Sequence, residues 1–209
     1  SLISIPRKRI VSSEDHIFRN NTNPKDYSKM RAIKNILRKE IKKRINALSA
    51  EERVGLSQEV LSRLENNPQF QSAQTILMFW SLPDEIHTHQ FIEQWSKKKK
   101  ILLPVVIDDI LEIREFRGMD SMQKGAFGIL EPTGEKWKDY SAIDLCVIPG
   151  VGFDSAGNRL GRGKGYYDKL LPSIPSYKIG ICLPCQLVEK VPTEKWDTEM
   201  DEVISLNEE

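Results

Sequence analysis

The sequence predicts an α/β fold: a single three-layer domain with a mostly parallel, Rossmann-like central sheet flanked by helices. Two observations lead there. Short apolar runs of strand length alternate with helix-like segments from Thr75 onward, the order expected of a largely parallel sheet. Those runs are apolar almost throughout, as in strands covered on both faces. The length, 209 residues, suits one domain with a short appendage and is enough to bury a sizeable core.

Taken in order, residues 1–29 are expected to be an N-terminal extension or leader. They sustain no apolar period, Asn20-Asn21-Thr22-Asn23-Pro24 has loop chemistry, and Met30 is a candidate internal start. A helix is predicted from Ser28, with Met30, Ile33, Leu37, Ile41 and Ile45 as its buried stripe. Ser49 and Glu52 form a capping box that opens a second helix. It runs to about Glu65, where Asn66-Asn67-Pro68 stops it. Strands follow at Thr75–Trp80, Ile101–Ile107, Leu111–Phe116, Leu145–Pro149, Lys178–Leu183 and Val203–Ser205. Helices are predicted at His87–Lys100 and Gly163–Leu171. In such sheets ligands bind at the carboxyl ends of strands, which directs attention to the loops after Trp80 and Pro149.

Charge and cysteine usage exclude several classes. The net charge is +1, from 31 Lys+Arg against 30 Asp+Glu, so a protein that coats nucleic acid wholesale is ruled out. The distribution is uneven: residues 1–45 hold 13 Lys+Arg and 4 Asp+Glu, and the remainder holds 18 and 26. No uncharged apolar run approaches the ~20 residues that span a bilayer, and Arg7-Lys8-Arg9 interrupts the only apolar start. Three cysteines, Cys146, Cys182 and Cys185, are too few and odd in number for a disulfide framework. A cytoplasmic protein is expected, with no membrane or nucleic-acid partner.

The most informative stretch runs from Pro149 to Asp168, PGVGFDSAGNRLGRGKGYYD. Its glycines let the backbone approach a ligand closely and expose N–H groups. Arg159, Arg162 and Lys164 add cations, and a helix starting near Gly163 would aim its positive end at the same place. A polyphosphate needs this combination. The stretch is not a Walker A loop, because Asn158 stands where the first Gly belongs and Gly165 where Ser/Thr does. On local chemistry two readings stay open: a phosphate cradle, or a loop of solvated charges like those of nucleic-acid-binding segments.

Gly157–Asp168, GNRLGRGKGYYD, resembles the signature of the 5-formyltetrahydrofolate cyclo-ligase family, the methenyltetrahydrofolate synthetases. Ser81-Leu82-Pro83-Asp84-Glu85-Ile86 is similar to the family's upstream substrate motif. Lys34–Arg38 with Leu48–Arg53 is similar to its N-terminal helices, and Gly125–Pro132 to the middle motif of bacterial members. The resemblance spans Met30 to Ile204, and implies a catalytic domain over 30–209.

The resemblance implies conversion of 5-formyltetrahydrofolate to 5,10-methenyltetrahydrofolate with MgATP, releasing ADP and phosphate. It implies that Arg159, Leu160, Gly161, Arg162, Gly163, Lys164, Gly165, Tyr166 and Tyr167 cradle ATP phosphates, with Arg162 and Lys164 neutralising the transferring group. Lys34 and Arg38 would reach the same nucleotide, Arg38 also lying near the folate; as i and i+4 residues they share a helix face. Asp168 and Asp197 match magnesium-associated aspartates, although Asp201 also lies in the matching tail. Glu85 matches the folate-binding carboxylate; without the resemblance, Asp84-Glu85 is an acidic pair opening a helix. Trp80, Phe127 and Tyr166 are candidates to wall the pterin, with core packing as the alternative for Trp80 and Phe127. A monomer acting on small molecules is expected.

Other signals point elsewhere only weakly. Cys182-Leu183-Pro184-Cys185 lacks a second CxxC to complete a zinc site, and His87-Thr88-His89 lacks a third ligand. Lys97–Lys100 reads as a solvated helix end. Lys39, Lys42, Lys43 and Arg44 could form the basic face of a nucleic-acid module, but no docking motif accompanies them. A sugar-phosphate isomerase would also want a phosphate loop, without MgATP.

Overall fold

The Asn23 side chain accepts the Lys25 N–H and Pro24 takes the first helical turn, so α1 spans Pro24–Asn46 in the computed structural model. The structure describes residues 23–207. Most of the expected 1–29 leader therefore lies outside the described residues, and Pro24 to Lys29 belong to α1. The Ser49–Glu52 capping box opens α2, Ala50–Glu65, and Asn67 with Pro68 starts a further short helix, α3, at Pro68–Ser72.

Strand β1, Thr75–Leu77, is followed by α4, His89–Trp95. The next strands are β2, Lys100–Ile107, and β3, Ile110–Glu115. A hairpin of β4, Met122–Lys124, and β5, Leu130–Pro132, follows. Then come β6, Leu145–Ile148, and a second hairpin of β7, Gly152–Phe153, and β8, Arg159–Leu160. The chain continues through α5, Tyr166–Leu170, β9, Tyr177–Ile181, and β10, Glu202–Ile204.

The central sheet has the order β10-β9-β6-β1-β2-β3. All neighbours are parallel except the β2–β3 edge pair. The expected α/β architecture is thus present. Strand β1 pairs with β2 on one side and β6 on the other, through Leu77↔Leu102 and Leu77↔Cys146. From β1 the chain builds outward in both directions, so the crevice between the ends of β1 and β6 is a topological switch point. Successive β1 side chains go to opposite faces. Ile76 and Met78 join a core with Ile41, Val60, Leu64 and Ile92, and Leu77 joins a second with Leu102, Ile148 and Leu171. Both faces are therefore covered, as the apolar runs required.

Three sequence expectations are corrected. The α1 stripe reaches the core only in its second half: Ile41 and Ile45 are buried, but Ile33 is 41% exposed. The first half of α1 lies instead over the chain near the C-terminus, with Tyr27 against Trp196 and Lys34 on Glu194 and Asp197. The helix predicted over His87–Lys100 is shorter. Thr88 Oγ1 donates to the Phe79 carbonyl rather than capping, and the Lys98 and Lys99 N–H groups close a turn on the Trp95 carbonyl. The helix predicted from Gly163 begins at Tyr166, because Gly163 and Gly165 have φ of 103° and 70°, which a right-handed helix does not contain.

Candidate active site

The glycine-rich stretch is a hairpin followed by a tight cationic loop. Asp154 makes the hairpin turn. Its buried carboxylate accepts the Ala156 and Asn158 N–H groups, the Asn158 Nδ2, and the Val191 N–H, at 2.9–3.0 Å. Gln186 ties the start of the stretch to the segment after β9, donating to the Gly150 and Val151 carbonyls. With both ends fixed, β8 delivers Arg159 and Leu160 to the carboxyl end of β6. Leu160 is buried in the core.

Beyond β8 the cations fan out to different partners. Arg159 donates from Nε to the Pro149 carbonyl at 2.7 Å and lies 4.9 Å from the Tyr167 ring centre. Burial lowers Arg159 from its ordinary value, opposed first by the charge of Asp168; the guanidinium keeps its proton. Burial pushes the Tyr167 phenol up. Arg38 donates from Nε to the Gly161 carbonyl at 2.7 Å, which joins α1 to the loop. Gly163 packs against the Arg38 guanidinium. Lys164 stands between the two left-handed glycines, exposed, with no hydrogen bond or ion pair among the described residues. Tyr166 starts α5 and packs on the second core.

The opposite wall comes from the loop after β1. Ser81 and Thr88 bond each other reciprocally, Ser81 N–H to Thr88 Oγ1 at 3.1 Å and Thr88 N–H to Ser81 Oγ at 3.0 Å. This buried clasp holds the loop that presents Asp84 and Glu85. Arg162 crosses the crevice to them, donating to Asp84 at 2.7 and 3.3 Å and lying 3.5 Å from Glu85 Oε2. Glu85 Oε1 accepts the Leu82 N–H at 2.8 Å. Burial raises the Glu85 pKa above the usual carboxylate range, against the opposing Arg162 charge. Asp84 is more open. Burial raises it, but the Arg162 hydrogen bond and charge outweigh this and leave it below its ordinary value.

A third group lies at the start of α1. Lys34 Nζ donates to Asp197 Oδ2 at 2.7 Å and lies 3.3 Å from Glu194 Oε1. A cavity of about 260 Å³ opens beside it, with Asn158, Arg159, Glu194, Asp197 and Thr198 in its wall. Asp168 reaches the same segment, accepting the Thr198 N–H at 3.0 Å. Asp201, the alternative to Asp197, exchanges two 2.8 Å bonds with the Lys178 backbone at the sheet and does not line the cavity.

These contacts bring Glu85 to Arg162, Arg38 to the loop, and Asp168 and Asp197 to one segment beside Arg159. Trp80 and Phe127 are placed differently. Trp80 is half-buried, stacked on His89 at 3.9 Å between ring centres and next to Phe116 at 5.9 Å. Phe127 is 77% exposed at φ 59° in the connection between β4 and β5. No hydrogen bond or ring contact joins it to Glu85 or Arg162 among the described residues.

The two carboxylates Asp168 and Asp197 are hard oxygen donors next to cationic groups. No group of three or more His, Cys, Asp or Glu among the described residues is arranged to hold a metal ion. A pair of carboxylates fits Mg²⁺ when phosphate oxygens and water complete the shell, which is its usual mode beside phosphates. Cys182-Leu183-Pro184-Cys185 does not offer thiolates: burial pushes Cys182 up to about 12. The sequence offers Asp84 only as half of an acidic pair in the upstream motif, and it marks no role for Asp154 or Glu194. An acidic residue next to the candidate Glu85 was the one visible signal for Asp84.

The family model for 5-formyltetrahydrofolate cyclo-ligases matches residues 30–205. The mouse 5-formyltetrahydrofolate cyclo-ligase is 31% identical over 184 residues, covering 80% of this chain and 91% of its own. The Escherichia coli K12 enzyme of the same name is 32% identical over 176 residues, covering 79% and 96%. The solution structure of Aquifex aeolicus 5,10-methenyltetrahydrofolate synthetase superposes with a TM-score of 0.75 at 33% identity, over 82% of this chain and 89% of that one. A family model over residues 30–205, relatives 31–32% identical across most of both chains, and a shared fold place this chain in the 5-formyltetrahydrofolate cyclo-ligase family.

Proposed function

We propose that the protein cyclises 5-formyltetrahydrofolate to 5,10-methenyltetrahydrofolate, consuming ATP and releasing ADP and phosphate. The observation that carries this reading is the meeting of a cationic glycine loop and a buried carboxylate at the β1–β6 switch point. Residues 30–209 are the catalytic domain in this reading, acting as a monomer in the cytoplasm. No helix among the described residues is long and apolar enough to cross a membrane.

The chemistry follows from the substrate. A formyl amide is a weak electrophile, and its oxygen is a poor leaving group. Transfer of the γ-phosphoryl group to that oxygen gives an N5-iminium phosphate. N10 attacks the iminium carbon and loses its proton, the C–O bond breaks, and phosphate departs with the oxygen. The protein's tasks are positioning and charge stabilisation. Lys164, Arg162, Arg159, Lys34 and Arg38 bind the phosphates, aided by the backbone from Leu160 to Tyr167. Glu85 accepts hydrogen bonds from the pterin and orients it, with Tyr166, Trp80 and Phe127 as its apolar surroundings. Asp168 and Asp197 would hold Mg²⁺, which when bound neutralises phosphate charge.

The test is optical. Methenyltetrahydrofolate absorbs in the near ultraviolet where the formyl substrate does not, so absorbance is expected to rise only when ATP and magnesium are both present. No rise with folded protein contradicts the reading. The same assay carries a pH signature. Ionised Glu85 accepts from the pterin with both oxygens and more strongly than the neutral acid, and burial raises its pKa. Substrate affinity is therefore complete above that raised value and is lost as pH falls through it, earlier than an ordinary glutamate would lose it. Glu85→Gln is expected to raise KM for folate more than for ATP and to remove this acid limb. An unchanged limb in that variant counts against the role of Glu85.

A further inference from the structure

Arg162 is already committed before any phosphate arrives. Asp84 grips it at two points, 2.7 and 3.3 Å, and Glu85 lies 3.5 Å away. The guanidinium is thus held between two carboxylates, with both of its hydrogen bonds on Asp84. A phosphate that draws the Arg162 guanidinium fully to itself takes it from both. That leaves Glu85, 6% exposed, with the Leu82 N–H as its remaining described partner. An uncompensated buried carboxylate is costly. A ligand that donates hydrogen bonds to Glu85 removes that cost.

Resting on the function proposed above, we propose that Asp84 is a positioning residue that couples the two substrates, holding Arg162 on the folate side until a pterin occupies Glu85. Folate binding then releases Arg162 to the nucleotide phosphates, and by linkage ATP raises folate affinity by the same factor. Lys164, without a partner among the described residues, is available to phosphate throughout. The arrangement keeps the cationic loop incompletely assembled around ATP while folate is absent, which limits transfer of the γ-phosphoryl to water. Asp84 acts through Arg162 and needs no contact with either substrate. Its side chain is 32% exposed, so its replacement leaves the core intact.

The experiment measures binding of the β,γ-methylene analogue of ATP, with magnesium, in the absence and presence of saturating 5-formyltetrahydrofolate. In the wild-type protein folate is expected to tighten the analogue by about tenfold, within the usual range of coupling. In Asp84→Asn the analogue binds more tightly without folate, and the ratio falls to within about twofold of unity. Asp84→Glu keeps the charge and retains most of the coupling. A merely structural role would weaken both ligands and leave their ratio alone. A wild-type ratio of one, or an Asp84→Asn ratio equal to wild type, overturns the coupling. If wild type still turns over formyl substrate with ATP in that case, the proposed activity stands. If it binds neither ligand and shows no turnover, the activity itself fails and the coupling falls with it.

Discussion

Lys164→Ala is expected to lower kcat for cyclisation by about three orders of magnitude or more, the usual scale for removing a group that stabilises transition-state charge. The expectation rests on how the loop divides its cations. Arg159 is held by the Pro149 carbonyl and the Tyr167 ring, Arg38 by the Gly161 carbonyl, and Lys34 by Asp197 and Glu194. Arg162 is shared between Asp84 and Glu85. Lys164 alone of this group has no partner among the described residues, and the flanking glycines fix where its stem leaves the backbone. Because the side chain is exposed, its loss costs the fold nothing by way of packing. The measurement is kcat beside a thermal melt: activity collapses and Tm does not move. Near-normal turnover in a folded Lys164→Ala protein contradicts the assignment.

The largest effect on stability is expected at Asp154. It is buried, and its two oxygens accept from three backbone N–H groups and the Asn158 side chain. Asp154→Ala leaves the buried Val191 N–H and three part-buried donors of Ala156 and Asn158 without their acceptor. A buried orphan costs on the order of 1–3 kcal/mol and a part-buried one less, so the total loss is about 3 kcal/mol. For a domain of this size that lowers Tm by roughly 6–12 °C. The loss extends to function, because the Asp154 turn holds the hairpin that delivers Arg159. Asp154→Asn retains an acceptor and is expected to fall between the two. A melt for Asp154→Ala within about 2 °C of wild type, less than a 1 kcal/mol change produces, contradicts the structural role.

Much of this was legible from the chain because local rules and tertiary structure agree. The capping box at Ser49, the apolar runs that became β1, β2, β6 and β9, and the glycine-rich cationic loop all announce themselves over a few residues. The misses share a cause: they depend on partners far away in sequence. Lys97–Lys100 favours a helix locally, but Lys100 pairs with Thr75 at the start of β2. Ile33 fits the helical stripe, yet this end of α1 lies over Glu194–Asp197 rather than the sheet. Asp154 looks like any turn aspartate until Val191 supplies its fourth donor. The Arg162–Asp84 pair joins positions far apart in the chain, and only the β1–β6 adjacency brings them together. The short hairpins β4–β5 and β7–β8 are too brief for periodicity to register.

The central claim is that the γ-phosphoryl group passes to the formyl oxygen within this loop. Substrate carrying oxygen-18 in the formyl group tests it most directly. Mass spectrometry of the released phosphate is expected to find the label there, one atom for each ring closed, because the C–O bond breaks as phosphate leaves. Unlabelled phosphate, with the oxygen-18 recovered in water, would contradict the account.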